Sequence, residues 1–324
     1  MDSSADSTLD GGADSAPDSA IDAPSVPQAP HFGYVVSKAF IPGNLTQARD
    51  YGLDLGAPRS GTPDGFVDNR LGEVLGTLGG MGFNIQGLVD TQVNQGSIIL
   101  LVDFQTNDFM NANAVNLGVK FGANPIPAAC NGAADTTCGH HLTGTASFSI
   151  AADSPMDAPL TGTIVDGTFN GGPGKLSLQL TLGTTQPTTF SLRNARAKAT
   201  AISDTGMTAN IGGALSVTDV NAQVIPAIQV QVAGVLDRDC GSGTRAPPGC
   251  GCSTGSTSET LLNLFDGDLV GTVRDCQISV EEIAANAVMR SLLAPDICST
   301  TTCTAPDALS FGIKVQTVKA TFPM

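Results

Sequence analysis

The side chains with the clearest chemical potential are acidic, and they gather in two places. Asp266, Asp268, Asp275, Ser279 and Glu282 fall in one short segment, while Asp64 and Asp68 bracket Gly65, with Asp50 and Asp54 just before them. Hard cations such as calcium take six to eight oxygen ligands from carboxylates, hydroxyls and backbone carbonyls. Acids set a few residues apart around glycine turns are therefore candidate calcium ligands, and these seven residues are the candidate metal set. Calcium is the one cofactor the sequence suggests.

The first segment resembles an EF-hand. An apolar stretch ends in Phe265-Asp266, a loop follows, and Ser279-Val280-Glu281-Glu282 opens a second helix. Two registers compete. Beginning at Asp266 puts acids at positions 1 and 3 and Gly271 at 6, but Gln277 stands where the bidentate carboxylate belongs. Ending at Glu282 supplies that carboxylate, with Asp275 at 5 and Ser279 at 9, but puts Cys276 at the glycine position. A five-residue insertion between Asp268 and Asp275 would reconcile them. In the competing reading Glu282 only closes a capping box with Ser279. The second segment, Asp64-Gly65-Phe66-Val67-Asp68-Asn69, resembles the end of dockerin and thrombospondin type 3 calcium loops. Ser60 and Thr62 would be its weak first ligands unless Asp54 folds back across residues 58–61. In the competing reading Asp68 caps the next helix.

Signals for catalysis are sparse. No H-E-x-x-H pair or phosphate-binding G-x-x-x-x-G-K occurs, and the chain holds four glutamates and three histidines, His31, His140 and His141. No catalytic residue is assigned. The net charge of -15, from 15 basic and 30 acidic side chains, argues against a nucleic-acid partner, since phosphate backbones need lysine and arginine patches. The longest aliphatic run, Ile98 to Val102, is far too short to span a bilayer.

Eight cysteines lie in Gly-, Pro- and Thr-rich stretches, the pattern of disulfides rather than of paired zinc ligands. Proximity favours Cys130 with Cys138 and Cys298 with Cys303. The pairing of Cys240, Cys250, Cys252 and Cys276 stays open. Residues 1–30 carry six aspartates at a four-residue spacing and no basic residue, so they predict a disordered acidic tether. Without them the chain still has a balance of -9, with 24 acidic side chains against 15 basic. The tether resembles the stretch that follows the lipid-anchored cysteine of bacterial surface lipoproteins. That resemblance implies an anchor and signal upstream of Met1 and an extracytoplasmic location, secreted, periplasmic or at the cell surface.

These loops need elements to position them. Strand-like alternation covers residues 97–104, 114–121, 143–151, 160–169, 176–182, 187–202, 206–212 and 309–315. Helical spacing covers 69–79, 216–236 with a kink at Pro226, 258–265 and 280–293. The expected fold is an α+β, β-rich single domain over 31–324: an antiparallel sheet or sandwich of about eight strands with three to four helices at the ends. The EF-hand-like segment would occupy 258–293. The expected function is a non-enzymatic extracytoplasmic structural or binding protein, stabilised by disulfides and calcium. A β module for an apolar or carbohydrate ligand stands second and a secreted hydrolase third.

Overall fold

A computed structural model describes residues 29–56, 63–183, 187–247, 249–267 and 274–324. The acidic stretch 1–28 and Asp268 lie outside the described residues.

The strands are β1 (His31–Phe40), β2 (Leu100–Gln105), β3 (Ala112–Ile126), β4 (Ser147–Ile150), β5 (Leu160–Val165), β6 (Thr168–Leu180), β7 (Thr188–Ser203), β8 (Gly206–Ser216) and β9 (Ala308–Lys319). Their order, with an added β2–β3 pairing, returns on itself, so eight antiparallel strands close into a barrel and β4 hangs on β3 as a ninth. This corrects the expected open sheet or sandwich. Apart from the detour around β4, each barrel strand pairs with its neighbour in sequence. The ring is then sealed by β1 against β9, as in Tyr34↔Lys319 and Val36↔Thr317. Long strands with register shifts, in β3, β6 and β7, supply the coiling that closure requires.

β1 is the strand that the alternation pattern misses. Its Tyr34-Val35-Val36 run is buried on both faces, so no polar–apolar alternation marks it. The expected strand 160–169 is in fact two, broken by Asp166-Gly167, whose φ values of 48° and 73° make the tight turn that pairs Val165 with Thr168.

Side chains fill the lumen. Tyr34, Phe104, Phe121, Phe169, Phe190 and Phe311 are fully buried there, and the Phe104 and Phe169 rings meet edge to face at 5.3 Å. An eight-stranded barrel has an interior just wide enough for such packing. A second apolar cluster lies on the outer wall, where Val35, Ile99 and Leu101 are covered by Phe148 of β4 and by Ala320 and Phe322.

The helices are insertions in two connections, not caps on a sandwich. α1 (Leu45–Tyr51), α2 (Arg70–Gly80) and α3 (Ile85–Gln95) join β1 to β2; α4 (Val217–Asp219), α5 (Ile225–Cys240), α6 (Thr257–Phe265), α7 (Val280–Ala285) and α8 (Ala287–Leu292) join β8 to β9. The register places both insertions at the same rim, since Phe40 pairs with Lys314 and Ser216 with Ala308. A π-helical turn at Val220–Val224 separates α4 from α5, which begins at Ile225-Pro226; that turn accommodates the N–H that Pro226 lacks. The expected helix 280–293 breaks at Asn286, whose side chain caps α8. Among the described residues no helix is long and apolar enough to cross a membrane.

Candidate functional site

The structure brings the described acids of the first loop together, but not as an open cation cradle. Asp266 accepts from the backbone N–H of Asp275 at 3.0 Å and of Cys276 at 2.9 Å, with Arg274 Nε 3.5 Å from the same carboxylate. Glu282 accepts from Gly267 N at 3.0 Å through one oxygen and from Ser279 N and Oγ through the other. Ser279 Oγ in turn accepts from Glu282 N, which completes a capping box. Asp275 closes a turn onto Gln277 N. These oxygens face N–H and O–H donors, so the arrangement is a knot that ties the 266–282 connection. Asp266 also lies within 4.8 Å of the sulfurs of Cys250 and Cys276. Those sulfurs are bonded to one another and offer no thiolate. Cys276 has a φ of 65°, the left-handed backbone that a glycine would take without strain.

At the second loop Asp54 does fold back. Its carboxylate accepts from Asp64 N at 3.2 Å and Gly65 N at 2.7 Å. Asp64 closes its own turn onto Phe66 N, and Asp68 accepts from Leu55 N at 2.8 Å. The cap of α2 is Asn69, one residue beyond the expected Asp68, because the Asp68 carboxylate is turned away to Leu55. Burial, with Asp296, Asp64 and Asp54 nearby, pushes the Asp68 carboxyl up to about 6. Burial also raises the Asp296 carboxyl, against the pull of its bonds from Ser310.

The same 49–54 segment forms one wall of a cleft on the barrel's outer face, with a volume of about 520 Å³. Its floor and far wall come from Asn170, Gly171 and Gly172 of β6, Arg196 and Lys198 of β7 and Asn210 of β8. Asn170 and Lys198 are register partners, and Arg196 stands across from Gly212. Asn210 donates to the Asp50 carbonyl at 2.7 Å and pins the α1 end over the wall. Sequence reading passed over this site because its residues come from five stretches that only the fold assembles. Its one local signal was Arg196-Ala197-Lys198, two cations on the same face of a strand.

The four disulfides are Cys130–Cys138 and Cys298–Cys303, as proximity suggested, with Cys240–Cys252 and Cys250–Cys276 settling the open pairs. In the loop closed by Cys130–Cys138, Asp135 gathers N–H groups from Asn131, Thr137 and Cys138 and bonds His140 at 2.9 Å. Those donors hold its carboxyl far below the usual carboxylate range. His141 is fully buried against Phe148, and neither ring nitrogen has a partner. Burial, and then the neighbouring His140, lower its imidazole.

These features define a filled up-and-down antiparallel barrel with a disulfide-braced helical insertion between β8 and β9 and a polar cleft on its outer wall. No protein-family model matches the chain, and comparisons with curated proteins and with solved structures find no match either.

Proposed function

We propose that the chain works outside the cytoplasm as a non-enzymatic binding or structural protein. The observation that carries this reading is that all eight cysteines are paired, three bridges lying in the β8–β9 connection and one between β3 and β4. Reducing compartments rarely permit this. The filled lumen moves any binding to the outer surface, which speaks against an apolar ligand held inside. The marked acids support a non-catalytic role, because they hold loops through backbone N–H groups. On this reading residues 1–30 act as a spacer from a lipid anchor upstream of Met1. The test is a thiol count on denatured, unreduced protein from the native host, together with cell fractionation. No reactive thiol and an extracytoplasmic fraction are expected; several free thiols would overturn the reading.

A second reading retains calcium at Asp64 and Asp68, with Asp54 outside the ligand set because both its oxygens accept from Asp64 N and Gly65 N. Their like charges converge with Asp296 and raise the Asp68 carboxyl, and a cation would relieve that repulsion. At Asp266 and Glu282 the oxygens already face N–H donors and an arginine, and this donor set does not fit the ion.

A further inference from the structure

We infer that the outer-wall cleft binds a small molecule carrying an oxyanion, a phosphate or sulfate ester. The chain has 15 basic side chains against 30 acidic, and three of the basic ones, Arg49, Arg196 and Lys198, line this single cleft. Among the described residues none of the three has a carboxylate partner within ion-pair distance, although Arg70, Lys175, Arg238, Arg245 and Arg274 each have one. Arg196 Nε is buried and has no acceptor. A buried guanidinium donor without a partner costs free energy, and three gathered cations repel one another, so an oxyanion between them would relieve both.

The acids of the cleft restrict the rest of the ligand. The Asp54 carboxylate is engaged by Asp64 N and Gly65 N, while Asp50 lies exposed beside Arg49. A second anionic group would meet Asp50, whereas a hydroxyl or ammonium could donate to it. Among the described residues no aromatic side chain lines the cleft, which leaves no platform there for stacking a sugar or base face. The class is therefore a phosphate or sulfate ester of a polyol or an amino alcohol, held by charge and hydrogen bonds. A volume of about 520 Å³ admits a ligand of that size.

The experiment is calorimetric titration of the full chain at low ionic strength with inorganic phosphate, inorganic sulfate and glycerol 3-phosphate, repeated for Arg196→Gln, Lys198→Gln and Arg193→Gln. Arg193 is exposed on the same strand outside the cleft and serves as the control. Saturable binding is expected, tightest for the ester. It should weaken at least tenfold in Arg196→Gln and Lys198→Gln, remain unchanged in Arg193→Gln, and fall as salt is raised. Thermal melting reports whether each variant folds; Lys198 is solvent-exposed, so its variant keeps the test open if Arg196→Gln does not fold. Absence of saturable binding to the parent, or equal weakening in the Arg193 control, overturns the assignment. The thiol count that tests export is independent of either result.

Discussion

The side chain of Asn69 grips the backbone of Gly312 at both ends, accepting from its N–H at 2.8 Å and donating to its carbonyl at 3.0 Å. The same amide accepts from Gly72 N at 3.1 Å to cap α2 and donates to the Ala48 carbonyl at 2.8 Å. One buried side chain thus joins α1, α2 and β9. Asn69→Ala leaves these buried groups unpaired and is expected to cost on the order of 2–4 kcal/mol. Asn69→Asp keeps the acceptor but loses both donations and buries a charge, so it should do no better. Urea denaturation of the two variants checks this; a loss below about 1 kcal/mol in Asn69→Ala would contradict it.

Asp68→Asn keeps an acceptor for Leu55 N while removing a charge that its neighbours oppose. In chelator at pH 7.5 it should gain roughly 1–2 kcal/mol of stability. Calcium decides the second reading given above. If the ion binds there, millimolar calcium raises the melting temperature of the parent and not of Asp68→Asn; equal responses mean that these acids hold no calcium.

The lowered imidazole of His141 gives stability a definite dependence on pH. The unfolded chain takes up this proton near pH 6.5, and the folded chain only at lower pH. Stability is therefore unaffected by this group above about pH 7 and falls as pH drops through 6.5 toward the folded value. His141→Leu removes the titration and fills the same apolar site. Between pH 7.5 and 5.5 the parent should lose more melting temperature than this variant, and parallel curves would refute the assignment.

The bridges should differ in weight. Cys250–Cys276 spans a separation of 26 residues, and Cys298–Cys303 spans 5. Loop-closure entropy gives about 3.5 kcal/mol for the first and about 2 kcal/mol for the second. Replacing the Cys250 and Cys276 pair by alanine also leaves residues with φ values of 55° and 65° in strained backbone, so a double glycine variant should recover part of the loss. Chemical denaturation of the two variants tests this order.

What the sequence disclosed tracks how local each feature is. Period-two alternation located every strand except β1, whose two buried faces erase the pattern, and the Ser279–Glu282 capping box formed as its spacing suggests. Fold class was missed because an open meander and a closed one share all their hairpins; they differ only in whether β1 meets β9. The acidic motifs named residues that do meet, as Asp54 meets Gly65 and Asp266 meets Cys276. Spacing alone could not show that N–H groups would fill their oxygens. The Arg196 cleft left almost no local trace, since its walls join residues as far apart as Arg49 and Asn210.

The β1–β9 seam also sets an order of events in biogenesis. Gly33 accepts the N–H of Ala320, so the wall cannot close until β9 and the residue after it have been made. Until then β1 and β8 each present an unpaired edge, and an emerging chain with such edges is prone to pair with its neighbours. Loss of the last strand, from Ala308 onward, would make that transient state permanent. The twelve residues of β9 therefore decide whether the preceding seven barrel strands form a closed wall or an adhesive sheet.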